Sequence, residues 1–495
     1  MISSTPEWIA RSVSRLRTAA PAADMAGDKL ARAALDKTVT DVVAKVAVPR
    51  STHERLQATL RRGQEALSPR ALRRLLADLQ EVVAPQVSEI EGGRRAQVVA
   101  EWYTKAEPEE RRDMWLLMCE QFAPDATRFK SARQRYEAAA GTAEEGQAEI
   151  SLRRALVSPR TRLLQRFSAF PEGMRFLVDM RAEILPLLKA DKRLLPLDAE
   201  LEHLFSTWFD VAFLELRRLS WDSPASLLEK LIKYEAVHDI RSWADLKNRL
   251  DSDRRCYGFF HPRLPNEPLI FVEVALLDKI SSSITPLLDE AAAPVDITRA
   301  TTAIFYSISN TQTGLRGVSF GDSLIKHVVE TLTAEFPRLR TFATLSPIPG
   351  FRAWLGKHAG AMLDRLDDKR RSELGRAVGF EPPQATHFLG ALDKALELDA
   401  KSPVRQVLLE CAAYYLGREL QEGKPADPVA RFHLGNGARV ERLNWAGDPS
   451  SKGQKQSYGL MVNYLYDLKR IDKHRSLLAQ GKVPVSGDID SLCRD

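Results

Sequence analysis

Between Thr301 and Ser346 the chain reads as strand, glycine loop, helix and strand, and this order restricts the fold more than any other stretch. Thr301-Thr-Ala-Ile-Phe-Tyr-Ser-Ile-Ser309 is rich in the β-branched and aromatic residues that suit a pleated, buried surface. From Asp322 to Phe336, residues Leu324, Ile325, Val328, Val329 and Leu332 recur on one helical face. Arg340-Thr-Phe-Ala-Thr-Leu-Ser346 returns to strand texture. The sequence therefore predicts a βαβ-type unit. Pro268-Leu-Ile-Phe-Val-Glu-Val-Ala275 adds another strand, so the region reads as a mixed α/β domain.

Upstream, the pattern is helix after helix. Ser68 can cap and Pro69 can occupy the first turn of a helix whose apolar face is Leu72, Leu75, Leu76, Leu79, Val82 and Val83. Pro108 starts another, with Met114, Leu117, Met118 and Phe122 as its stripe, and Ser158-Pro159 and Pro171-Glu172 repeat the cap-then-proline start. Ala138–Glu149 is polar and small, a loop or an exposed helix. One more strongly apolar helix is predicted from Ala199 to Arg218. The expected fold class is α+β multidomain: an all-α domain over residues 1–190, then a mixed α/β domain over 191–495.

Composition excludes several classes. Lys+Arg 72 minus Asp+Glu 66 leaves +6, a small excess on a chain of 495 residues that does not argue for nucleic acid. No stretch approaches the roughly 18 uninterrupted apolar residues of a membrane helix. Cys119, Cys256, Cys411 and Cys493 form no C-x-x-C pair, and sparse cysteine suggests a reducing, cytoplasmic setting. The segment Met1–Leu30 lacks the apolar core of a secretory signal, and its Glu7, Asp24 and Asp28 are unlike a mitochondrial presequence. The histidines show no H-x-x-x-H spacing, so no metal is expected.

Three places carry chemistry. In Asn310-Thr-Gln-Thr-Gly-Leu-Arg-Gly-Val-Ser-Phe-Gly321, the glycines at 314, 317 and 321 permit close approach of a ligand. The loop runs into a helix N-terminus, which favours phosphate, and Arg316 adds a cation. The spacing is neither a Walker loop nor G-x-G-x-x-G. It is similar to the pyrophosphate loop of GNAT-type acyl-CoA enzymes, although a tight glycine turn would contain the same residues. Leu345-Ser-Pro-Ile-Pro-Gly-Phe351 places Ser346 at a rigid exit that two prolines should prevent from continuing a sheet. His433 lies near the end of a short helix started by Asp427-Pro428 and ended by Gly435 and Gly437. A serine before proline is commonly a turn residue, and a histidine at a helix end is commonly structural.

Taken together, Phe305-Tyr-Ser-Ile-Ser-Asn-Thr-Gln-Thr-Gly-Leu-Arg-Gly317, Leu345–Phe351, Phe432-His-Leu-Gly-Asn-Gly-Ala438 and Gly459-Leu-Met-Val-Asn-Tyr-Leu-Tyr466 resemble the malonyl-CoA decarboxylase family in content, order and spacing. The resemblance is strong from about Leu204 to Leu468. It implies a helical oligomerisation domain, a GNAT-like catalytic domain, and conversion of malonyl-CoA to acetyl-CoA and CO2, a reaction of fatty-acid metabolism, in a homo-oligomer (dimer or tetramer). By the same resemblance, Ser346 and His433 are catalytic. Arg316, Gly317, Val318, Ser319, Phe320, Gly321 and Asp322 form the CoA loop, and Ser307 and Tyr466 belong to the active site. Animal members carry a glutamate where this chain has Ser319, so that acid's role does not transfer. No cofactor, nucleic acid or membrane is expected. The alternative is a GNAT-type CoA-dependent acyltransferase. A histidine, titrating near neutrality, is suited to protonating the enolate left by CO2 loss.

Overall fold

The computed structural model describes residues 66–318 and 324–493. The chain divides into two compact units, Met1–Leu204 and Phe205–Asp495.

In the first unit the caps act as the sequence predicts. The Ser68 and Ser158 hydroxyls accept the backbone N–H of Ala71 and Arg160, starting the helices Pro69–Val82 and Pro159–Ala169. Helix Pro108–Gln121 uses a different device: Glu107 and Glu110 form a reciprocal capping box. Leu72, Leu75, Leu79 and Val82 are buried as one stripe, each worth about 1.5–3 kcal/mol relative to exposure. In Pro108–Gln121 the run from Asp113 to Cys119 is buried on every side, which is why the predicted stripe is only part of its packed surface.

Helix Gly173–Ile184 starts later than Pro171 suggests, because Glu172 takes a left-handed φ of 65°. A Cβ at Gly173 would lie 1.9 Å from the Phe167 carbonyl oxygen, a backbone atom that cannot rotate away. Gly173→Ala is therefore expected to destabilise the helical unit by about 1–3 kcal/mol. Thermal denaturation followed by circular dichroism tests this; an unchanged midpoint would mean the helix start shifts at no cost.

In the second unit, eight strands among the described residues form one sheet. They are β1 (Glu215–Leu219), β2 (Arg254–His261), β3 (Leu264–Leu277), β4 (Thr302–Asn310), β5 (Thr341–Thr344), β6 (Ser346–Pro347), β9 (Arg439–Asn444) and β10 (Met461–Leu465); β7 (Leu420–Gln421) and β8 (Lys424–Pro425) pair separately. The order is β1-β2-β3-β4-β5-β10-β6, with β9 on β10. The predicted helix Ala199–Arg218 is corrected here. Helix Leu195–Trp208 ends early, Asp210 caps a short turn through the Ala212 N–H, and Glu215–Leu219 pairs antiparallel with β2. Residue 210 competes for the backbone, and ladder pairing outweighs the apolar periodicity.

Strands β1 to β4 are antiparallel neighbours, whereas β4 and β5 are parallel, joined through helix Leu324–Glu335. This is the predicted βαβ unit. Parallel pairing runs from Thr302↔Thr341 to Phe305↔Thr344 and then stops. Beyond it, Ser346 and Pro347 pair with Val462 and Met461 of β10 instead. The sheet thus takes in Pro347 before it ends, where the sequence reading has the prolines stop it: Pro347 closes a two-residue strand, where a missing N–H is tolerated. Ser307 and Ser346 each lie two residues past the last β4–β5 pair, Ser307 paired with Glu273 of β3 and Ser346 with Val462 of β10. No described helix is long and apolar enough to cross a membrane.

Candidate active site

Residues of β4, β6 and the helix after Asp427 line a cavity of about 420 Å³, among them Ser307, Val318, Ser346, Pro347, Val429 and His433. Helix Pro428–Gly435 forms one wall. Asp427, fully buried, starts it by accepting the N–H groups of Val429 at 2.9 Å and Ala430 at 3.0 Å through Oδ1. Its Oδ2 accepts the Gly350 N–H at 3.3 Å, tying the turn after Ser346 to the helix that carries His433. Burial raises the Asp427 pKa, and the three backbone donors oppose that shift.

The two residues implied to be catalytic come together although 87 positions separate them: Ser346 Oγ lies 3.3 Å from His433 Nε2. Both are buried. The Ser346 hydroxyl donates to Thr344 Oγ1 at 2.8 Å, and His433 Nδ1 lies 2.8 Å from the Tyr466 hydroxyl. The Tyr464 ring stacks on His433 with centroids 4.8 Å apart. Burial pushes the Tyr466 phenol up, so it keeps its proton. Because Ser346 gives its one proton to Thr344, its bond to the ring assigns the ring proton to Nε2, and Nδ1 then accepts from Tyr466.

One expectation needs correction. The sequence suggests a histidine titrating near neutrality, but complete burial with no charged partner pushes His433 from 6.5 down to about 3. At neutral pH the ring is an uncharged imidazole, and the proton it offers is an N–H.

The structure places the other site residues unevenly. Ser307 is buried and lines the cavity, as does Val318. Arg316 and Gly317 are exposed on the loop just before Val318, and Gly317 has a φ of +84°, which requires glycine. Ser319, Phe320, Gly321 and Asp322 lie outside the described residues. Sequence reasoning missed Thr344, whose position two residues before Ser346 on the same side of the strand was the available signal. It also missed Tyr464 and Glu235, which holds Ser307. Among the described residues no group of three His, Cys, Asp or Glu side chains could hold a metal ion.

The family model for the malonyl-CoA decarboxylase C-terminal domain matches residues 212–495, and that for its N-terminal domain matches residues 122–209. The mitochondrial malonyl-CoA decarboxylase of Mus musculus is 38% identical over 361 residues, covering 70% of this chain and 73% of its own. The crystal structure of malonyl-CoA decarboxylase from Agrobacterium vitis superposes with a TM-score of 0.74 at 39% identity, covering 85% of this chain and all of that one. The corresponding structure from Cupriavidus metallidurans gives 0.69 at 44% identity, covering 86% and 100%. With the matching models spanning both the helical and the α/β parts, the chain belongs to the malonyl-CoA decarboxylase family.

Proposed function

We propose that this protein converts malonyl-CoA to acetyl-CoA and CO2, with Ser346 and His433 as the catalytic pair. The observation that carries the reading is the hydrogen-bonded line Ser346–His433–Tyr466 at the wall of a cavity beside the glycine loop.

Malonyl-CoA contains its own electron sink. When the bond to the carboxylate breaks, its electron pair enters the thioester as an enolate and CO2 leaves, so neither pyridoxal phosphate nor a metal is required. The protein must hold the CoA, align the breaking bond across the thioester plane, and protonate the enolate carbon. Ser346 orients the substrate's carboxylate or thioester by turning its hydroxyl proton from the neutral Thr344 hydroxyl to the substrate, a role that suits a hydroxyl with no strong base beside it. His433 passes its Nε2 proton to the enolate carbon, and Tyr466 stands ready to supply Nδ1. A neutral imidazole N–H suffices because a thioester enolate is a far stronger base than the imidazole anion. Burial of both catalytic groups keeps water from the reacting carboxylate and favours release of neutral CO2.

The loop Arg316-Gly-Val-Ser-Phe-Gly-Asp322 is assigned to the CoA phosphates and arm. Arg316→Ala and Gly317→Val are expected to weaken CoA binding about tenfold each, the first by removing charge and the second by straining a left-handed backbone position. Titration of the folded variants with CoA checks this; unchanged affinity in both would place the phosphates elsewhere. The helical unit supplies none of the matched site residues and is assigned to assembly of a homo-oligomer in the cytoplasm.

A CoA-dependent acyltransferase would share the loop but needs an acyl acceptor. Adding amine or alcohol acceptors to protein and malonyl-CoA should leave acetyl-CoA formation unchanged. A dependence on acceptor would favour the transferase.

A further inference from the structure

Ser307 does not stand alone in the cavity wall. Its hydroxyl donates to both oxygens of Glu235, at 2.7 and 2.8 Å. Glu235 is buried just beyond helix Ala225–Tyr234, and 72 positions separate it from Ser307. Its Oε1 also accepts the N–H groups of Val237 and His238, both at 2.8 Å, and its Oε2 accepts the Ser309 hydroxyl at 3.1 Å. Ser309 in turn accepts the Ala236 N–H at 3.1 Å. Lys452 Nζ binds the carbonyls of Ala236 and Val237 at 3.0 and 2.9 Å, so the segment is held from both sides. Four donors converge on this carboxylate: the hydroxyls of Ser307 and Ser309 and the N–H groups of Val237 and His238. A serine has one proton, and Ser307 has committed it; what remains for the cavity is lone pairs.

Such a serine cannot bind an enolate oxygen, a thioester carbonyl or a carboxylate, all of which need a donor. Ser307 lines the same cavity as Ser346 and His433, so it faces the same bound acyl-CoA. The donor nearest the reacting end of that acyl-CoA is the amide N–H two methylenes from the thioester sulfur. We propose that Glu235 is a positioning residue: by taking the Ser307 proton, it presents Ser307 to the cavity as an acceptor for that pantetheine amide N–H.

The proposal rests on the decarboxylase reading, and its test separates the two. Rates are measured for wild type, Glu235→Gln, Glu235→Asp and Ser307→Ala with malonyl-CoA and two truncated substrates. One is malonyl-N-acetylcysteamine, which keeps the amide; the other is the malonyl thioester of butanethiol, which lacks it. Wild type should prefer the amide-bearing thioester in kcat/KM by roughly tenfold, the worth of one good neutral hydrogen bond. In Glu235→Gln the side-chain oxygen stays with the two backbone N–H groups. Its NH₂ then faces Ser307 and turns that hydroxyl proton toward the cavity. This variant and Ser307→Ala should both lose the preference, with KM for malonyl-CoA rising more than kcat falls, while Glu235→Asp should keep part of it. A folded Glu235→Gln or Ser307→Ala protein that retains the full preference would overturn the proposal, as would a wild type with none. Equal losses on both truncated substrates would also overturn it, reducing Glu235 to a structural support. Wild type inert toward malonyl-CoA would fell the decarboxylase reading as well, a distinct result.

Discussion

His433→Asn is expected to slow acetyl-CoA formation by about 10²–10⁴-fold, the usual worth of a positioned proton donor. Asparagine is shorter than the imidazole and cannot connect Tyr466 to the reacting carbon. The affinity for CoA esters should change much less, because the cofactor arm is assigned to the loop around Arg316. The environment of the ring adds a second expectation. Because burial lowers His433 from 6.5 to about 3, the ring stays neutral as pH falls through 6.5, and turnover should show no histidine titration there. Burial in the neutral form also links His433 to stability. Its contribution is fully present above pH 6.5, where the unfolded ring too is neutral, and is lost as pH falls toward about 3. Rates measured from pH 5 to 8 on wild type and His433→Asn, with folding checked by circular dichroism, test the assignment. Near-normal turnover in the variant would remove the histidine from the mechanism.

Ser346→Ala is expected to lower turnover about 10- to 100-fold, the range for a hydrogen bond to a charged group. The hydroxyl accepts from His433 and gives its own proton to Thr344 or to the substrate, so its loss both misorients the carboxylate and leaves the Nε2 proton unguided. If the two side chains act on one bound substrate, the double variant should be less impaired than the product of the single effects. Fully multiplicative losses would indicate that serine and histidine act independently.

The βαβ unit was legible because its strands, loop glycines and helix each carry a local signal. Ser346 and His433 were legible only through the motifs around them. Nothing in their separation of 87 positions indicates that antiparallel β10 and the Asp427 cap bring them to 3.3 Å. Strand β2 left no alternation to read, because every residue from Arg254 to His261 is buried and a strand covered on both faces loses its period of two. The helix expected through Arg218 failed for the opposite reason: its apolar spacing was genuine, but pairing with β2 claimed the last residues as β1. Glu235 had no signal at all. A glutamate at a helix end reads as surface, and only the fold shows it taking the proton of Ser307.

The most direct measurement of the central claim is to incubate the purified protein with malonyl-CoA alone, in the presence of a chelator, and to quantify every product. The account predicts acetyl-CoA and CO2 in equal amounts, at a rate the chelator does not reduce. Release of free CoA and malonate in their place, or activity that disappears with chelator and returns with added metal, would contradict it.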